Sequence, residues 1–477
     1  MRHAVVPLLA LSLSATAAHA DDVESRVKAV TEGLRPAVMV AGAPAQRSTL
    51  AHDMAELHVP GVSIAVIKGG KLDWARGFGV TRQGGEAVTA DTLFQAGSVS
   101  KPIAAMAAVR LVQDGRLPLD ADVNTVLKSW KLPASPYTTQ TPVTLRALLS
   151  HTAGTTVHGF PGYAAGAPVP TVPQVLDGAA PANTQAVVVD SPVGQAYRYS
   201  GGGYTIAQLM MTDATGETFP AIVRRTVFQP VGMSASTEDQ PLDAARAAHA
   251  AWPHKADGAP IEGGPHTYPE MAAAGLWTNA NDLARFVMDL QGAARGEAGH
   301  ALSPASAQLM LTPVKGTYGL GVGVRGEGAN RYFSHDGSNA GYKATMVGYL
   351  GTGDGVVVLT NGDKGYELGE RIVRAVAAAY GWADQRQVTR TAAALTAGQR
   401  APYAGTFTLA GVGDFTITQG PDSLIAEIWK GQTEPLLAEA AGRFFLVSSN
   451  LSLTFSDPDH GTLVLDGFKG EFTRQKP

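Results

Sequence analysis

The chain has 477 residues, 45% of them hydrophobic and only 16% charged, with a formal net charge of -4. That suffices for one large domain plus a small one and leaves no basic footprint for nucleic acid. Cysteine is absent, which excludes disulfides, thiol catalysis, Cys-ligated zinc and iron–sulfur clusters.

Residues 1–20 open with Arg2, continue as an apolar stretch from Val5 to Ala18, and close on Ala18-His19-Ala20 before two acidic residues. These parts in this order read as a secretory signal peptide cleaved between Ala20 and Asp21, hence a periplasmic or secreted protein. The apolar run is shorter than the roughly 20 residues a membrane span needs, and no later run reaches that length. Residues 22–58 read as helical. Gly61 to Val80 reads as a hairpin turning at Gly69-Gly70. From Ser98 to about Phe286 the pattern is mostly helical, with helices at Thr144–His151, Tyr204–Thr215 and Asn281–Leu290 and a long Gly/Pro/Ala-rich loop over 154–196. Short strands return at Tyr318–Val324, Arg331–Ser334, Tyr342–Leu350 and Gly355–Thr360, before a helix over Leu368–Tyr380.

This order predicts an α/β (α+β) domain over 21–385. Its antiparallel sheet is built from both ends of the segment and flanked by helices, and the helical middle is inserted as a second lobe. Residues 386–400 read as a linker. Over 401–477, eight short stretches from TFTLAG to GEFTRQ recur at 8–10-residue spacing, which predicts a small antiparallel β-barrel or sandwich.

No G-x-S-x-G or H-E-x-x-H occurs, so neither a hydrolase elbow nor that zinc-protease class is supported. One segment stands out: Gly97-Ser98-Val99-Ser100-Lys101-Pro102, leading into the apolar run IAAMAAVRLVQDG. At a helix start, Ser98 and Lys101 three residues apart share one face. A serine hydroxyl needs a neighbour to take its proton, and a lysine whose pKa is lowered by a dry pocket can do so. The bland alternative is that a serine caps the helix and Lys101 is solvated. Tyr199-Ser200-Gly201-Gly202-Gly203-Tyr204 places a tyrosine at a loop-to-helix junction whose glycines admit close backbone approach. Ser334-His335-Asp336-Gly337-Ser338 closes one strand, where a histidine can face a cleft. Read alone, each of these two fits a packing or turn role better than a catalytic one.

Together, SVSK, YSG and HDG resemble the S-x-x-K, Y-x-N or Y-S-x, and K-T-G or H-x-G pattern of the serine β-lactamase and penicillin-binding protein superfamily. The resembling branch holds class C β-lactamases, DD-peptidases and related esterases. LLSHTAG (148–154), VFQPVGM (227–233) and AAAGLWTNANDLARF (272–286) resemble its linking segments. The resemblance covers about 50–380, and the tail resembles the lipocalin-like barrel of some members. It implies a β-lactamase/transpeptidase-like fold and an acyl-enzyme on Ser98. Lys101 is then the general base and Tyr199 the proton shuttle. The N–H groups of Ser98 and Ser338 form the oxyanion hole, Gly337 belongs to the third motif, and His335 borders the substrate. No metal or organic cofactor is implied.

Two departures matter. Gly201 stands where the family's asparagine helps hold the substrate amide, and His335 replaces the lysine that attracts a substrate carboxylate. Both weaken the case for an efficient β-lactamase and suit an esterase or an amino- or carboxypeptidase. The leading reading is a peptidase-like hydrolase of D-amino-acid peptides, with a carboxylesterase or a weak class C-type β-lactamase as alternatives. A penicillin-binding sensor without turnover is a further alternative. The substrates to expect are small molecules or peptides: cell-wall peptide, an ester or a β-lactam. Asp336 is placed to raise the pKa of His335. Among lesser candidates, Tyr204 and Trp277 read as packing residues, His151 as a hydrogen-bonded structural histidine, and Glu270 as a surface or cleft carboxylate. His52 and His58 read as helix surface.

Overall fold

The structure, a computed structural model, describes residues 21–475 apart from 45, 411, 430, 466 and 467. The expected signal segment lies outside the described residues. The chain divides into two units, the first holding Ala51–Gly369 and the second Lys28–Leu50 with the chain from Glu370 onward.

The first unit is organised by a six-stranded sheet. Its strands are β1 (Gly61–Lys68), β2 (Lys71–Gly79), β3 (Gly323–Arg325), β4 (Tyr332–Asn339), β5 (Tyr342–Tyr349) and β6 (Gly355–Thr360). They lie in the order β2-β1-β6-β5-β4-β3, all neighbours antiparallel. β1 and β6 meet with Val62 opposite Thr360, so both ends of the segment do build one sheet around an inserted helical region. Gly69 and Gly70 both have positive φ, as the hairpin turn between β1 and β2 requires.

Three helices matter for the site: α1 (Ser100–Gln113), α2 (Gly201–Thr215) and α3 (Ala280–Ala294). α3 is amphipathic and packs on β1, β5 and β6. α1 is apolar nearly all round and is buried from Ser100 to Val109, as such a helix must be. It touches α2 and the short helix Met271–Ala274.

Three expectations need correcting. Residues 22–58 are not one helix. Helix over 21–31 stops before Gly33 and Pro36, and Val38–Val40 then pairs in parallel with Val388–Arg390 before helix resumes at Leu50–Glu56. The stretch read as a linker therefore contains a strand, and also a capped turn of helix, Ala397–Arg400. Finally, β4 does not end at Ser334 but runs to Asn339. Asp, Gly and Ser are poor strand formers, yet pairing with β5 and a period of two (His335, Gly337 and Asn339 buried; Asp336 and Ser338 exposed) override that propensity.

The second unit contains a closed eight-stranded antiparallel barrel: β7 (Gly405–Leu409), β8 (Gly413–Gln419), β9 (Leu424–Trp429), β10 (Gln432–Ala440), β11 (Arg443–Phe445), β12 (Ser452–Asp457), β13 (His460–Leu465) and β14 (Phe468–Arg474). β14 closes on β7, with Thr408 opposite Thr473. Inward positions carry Phe407, Phe415, Phe444, Phe455 and Phe472, whose rings touch edge to face or stacked at 5.0–5.9 Å. Side chains fill the interior, as eight strands permit.

Candidate active site

Ser98 sits in a single 3-10 turn, Gly97–Val99, that leads into α1. From Thr92 to Val109 every residue is buried except Ser98. The other serine of the stretch is fully engaged. Ser100 Oγ donates to Gly97 O at 2.6 Å and accepts from Leu276 N at 2.9 Å, which ties the turn to the segment before Trp277. Ser100 is thus the scaffold, and Ser98 carries the partly exposed hydroxyl.

Lys101, one turn on, is 1% exposed. Its Nζ donates to Ala273 O at 2.8 Å and lies 3.0 Å from Ser98 Oγ. Burial pulls its pKa from 10.5 to about 7, because a dry pocket disfavours the ammonium. A substantial fraction of Lys101 is therefore a neutral amine at neutral pH, with its lone pair available to Ser98.

Tyr199 lies on the other side of the pair, its ring centre 4.8 Å from Lys101 Nζ. Burial pushes its hydroxyl above the ordinary tyrosine range, and a hydrogen bond with Ser98 works the other way. Tyr199 stays a protonated phenol throughout the physiological range. Ser200 caps α2, its Oγ accepting from Gly203 N at 3.0 Å.

The third-motif residues line β4. A Cβ on Gly337 would come within 1.9 Å of Ala96 O, and one on Gly97 within 2.5 Å of Ser338 N. Glycine at both positions lets the strand edge meet the Ser98 turn backbone to backbone. This brings the Ser338 amide to the turn that carries Ser98.

His335 is buried, and burial with the nearby Lys101 pushes its pKa down to about 3. The carbonyl of Asp336 works in the opposite direction but does not prevail. The expectation that Asp336 raises this pKa is therefore wrong. The Asp336 carboxylate instead accepts from Thr345 Oγ1 at 2.8 Å on the opposite face of the strand. His335 Nδ1 donates to Asp336 O at 2.6 Å, so the neutral ring's Nε2 accepts from Tyr318 Oη at 3.0 Å.

Six of the residues singled out in the sequence thus converge: Ser98, Lys101, Tyr199, His335, Gly337 and Ser338. Gly201 faces elsewhere. A Cβ there would meet the Phe160 ring at 2.9 Å, and its amide donates to His158 O. The glycine run admits the segment 156–160 rather than a side chain of its own. Tyr204 packs as expected, its hydroxyl donating to Leu149 O at 2.8 Å, and Trp277 is buried. Glu270 is neither at the surface nor open to a cleft. It is fully buried without a hydrogen-bond partner, and burial raises its pKa to about 7. Tyr318 and the Ala273 carbonyl were missed in the sequence, which holds no local signal for either contact. His52, Asp53 and Glu56, on the helix Leu50–Glu56, are a group whose donor atoms lie within 4.8 Å of one another.

The Beta-lactamase family model matches residues 47–380. The chain belongs to the Beta-lactamase family. A similar family member, Penicillin-binding protein 4 of Amycolatopsis lactamdurans, is 30% identical over 323 residues, covering 64% of this chain and 82% of that protein. Two solved structures share the fold. The octameric penicillin-binding protein homologue from Pyrococcus abyssi aligns with TM-score 0.57 at 20% identity, over 88% of this chain and 98% of that one. D-amino acid amidase from Ochrobactrum anthropi SV3 aligns with TM-score 0.55 at 21% identity, over 75% and 99%. Among the described residues, no helix is long and apolar enough to cross a membrane.

Proposed function

We propose that the protein is an exported serine hydrolase that cleaves amides or esters lacking a carboxylate beside the scissile bond, D-amino-acid amides and peptides among them. The observation that carries this reading is the buried Lys101 amine, near neutrality in pKa and 3.0 Å from Ser98 Oγ. Ser98 Oγ attacks the acyl carbon while its proton passes to Lys101 Nζ. The developing oxyanion is held by the N–H groups of Ser98 and Ser338. Tyr199 gives its proton to the leaving amine or alcohol and is reprotonated from Lys101. Water then attacks the acyl-enzyme, its proton leaving by the same route, and Ser98 is restored.

Substrate choice follows from His335. Held neutral, it offers no cation to a carboxylate. That disfavours β-lactams and free D-Ala-D-Ala ends relative to neutral esters and amides, and it supports a carboxylesterase activity as the second reading. The names of the similar proteins, a penicillin-binding protein and a D-amino acid amidase, support the same reaction class. Export rests on the composition of residues 1–20; a mature N-terminus at Asp21 in the secreted fraction tests it.

The decisive experiment compares nitrocefin, p-nitrophenyl butyrate, a D-Ala-D-Ala peptide and a D-amino-acid amide in parallel. The ester and the amide are expected to give the highest kcat/KM. Dominant turnover of nitrocefin or of the free-carboxylate peptide overturns the substrate reading.

A further inference from the structure

His151 lies beneath Tyr199 and holds it from three directions. Its backbone carbonyl accepts from Arg198 N at 2.8 Å, and its ring Nδ1 accepts from Ser200 N at 3.1 Å. Both amides flanking Tyr199 therefore end on this one residue. Its imidazole also lies against the Tyr199 ring, centroids 4.3 Å apart and planes 35° from parallel. The rings of Tyr197, Tyr204 and Tyr318 complete the box at 5.8, 5.2 and 4.9 Å.

The chemistry of the ring follows from these contacts. An Nδ1 that accepts from a backbone N–H cannot carry a proton, so the ring is neutral with its proton on Nε2. Nε2 is buried and has no hydrogen-bond partner, which is costly for a polar group. The backbone is strained as well: His151 has φ +58°, a left-handed conformation uncommon for a histidine. Burial and the positive charge of Lys101 keep the ring's pKa well below the ordinary value, so the acceptor persists. Strain and an orphaned donor gathered at one residue beside a reacting group point to a positional task there.

We infer that His151 is a positioning residue for Tyr199: it fixes the phenol so that its hydroxyl can pass a proton to the leaving group. This rests on the proton-shuttle role given to Tyr199 above. The functional signature is selective. A p-nitrophenolate leaves without needing a proton, whereas an amine or a simple alcohol needs one. Loss of Tyr199 alignment should therefore slow amides and alkyl esters far more than p-nitrophenyl esters. A loss of folded protein slows both alike.

The test measures kcat/KM for a D-amino-acid amide and for p-nitrophenyl acetate in wild type, Tyr199→Phe, His151→Phe and His151→Asn. His151→Phe keeps a ring but strands the Ser200 amide. His151→Asn keeps an acceptor near Nδ1 and tolerates the left-handed backbone. For His151→Phe, the amide-to-ester ratio is expected to fall about 10²-fold, matching Tyr199→Phe. For His151→Asn, it is expected to stay within about fivefold of wild type, the scale of one altered neutral hydrogen bond. An unchanged ratio in His151→Phe, with the ratio lowered in Tyr199→Phe, overturns the inference and leaves the mechanism standing. A His151→Asn ratio as low as that of His151→Phe overturns the assignment of the acceptor. An unchanged ratio in Tyr199→Phe itself overturns the proton-shuttle reading, and the inference falls with it.

Discussion

The two units bury different things. In the barrel, no polar or charged side chain is buried among the described residues from Gly405 to Arg474; its interior is phenylalanine and aliphatic. The catalytic unit encloses Lys101, His151, Glu238, Glu270 and His335. Of these, Glu238 and Glu270 have no hydrogen-bond partner. A buried polar group without full compensation costs stability, and the barrel shows that a core of this chain can avoid that cost. Lys101, His151 and His335 gather around Ser98 and Tyr199, which is the pattern of a fold giving up stability for a reactive site.

Four experiments would break or sharpen that contrast. Lys101→Met should lower kcat/KM by about 10³–10⁴-fold while raising Tm at neutral pH. The unfolded chain protonates Lys101 below about 10.5 and the folded chain only below about 7, so burial destabilises the wild type fully below pH 7 and not at all above 10.5. The gain on removing the amine is therefore largest at pH 7 and below, capped at about 5 kcal/mol, and gone by pH 10.5. Thermal melts at pH 6, 8 and 10 check this; a lowered Tm at pH 6 contradicts it.

Phe472→Ala in the barrel should do the reverse. It removes a ring that touches Phe407, Phe415 and Phe455, at a cost of about 3–5 kcal/mol to the stability of that unit. Turnover per folded molecule should not change, which denaturant titration and active-site counting together can read. Gly337→Ala sets a methyl against Ala96 O and displaces the Ser338 amide. It should lower kcat/KM by about 10–10²-fold, the cost of roughly 1 Å of misplacement, without an equal loss of Tm. Last, kcat/KM should fall on an acid limb with a midpoint near pH 7, about tenfold by pH 6, because Lys101 must be neutral to accept. His335, down at about 3, adds no titration above that. A midpoint near 4 would show a carboxylate in place of Lys101.

Much of this was legible in the chain because its signals are local. Ser98 and Lys101 are one helical turn apart, Gly69-Gly70 turns a hairpin, and short stretches recurring at 8–10-residue spacing mark the barrel strands. What was not legible depends on residues far apart in sequence. The charge state of His335 is set by burial and Lys101, which outweigh the opposing carbonyl of its neighbour Asp336. The third motif looked like a turn because Asp, Gly and Ser dominate it, and only pairing with β5 makes it a strand. The interruption of 22–58 follows Gly33 and Pro36, but the partner that turns Val38–Val40 into a strand lies some 350 residues away. His151 read as structural from its own segment; its hold on Tyr199 appears only when residues 151 and 198–200 are brought together.

The central claim is that Ser98, activated by a neutral Lys101, carries the acyl group. Intact-protein mass measurement after rapid mixing with a slowly hydrolysed acyl ester tests it most directly. The account predicts a single adduct that maps to Ser98, forms faster at pH 8 than at pH 6, decays with turnover, and is absent in Ser98→Ala. An adduct on another residue, or undiminished turnover by Ser98→Ala, would contradict it.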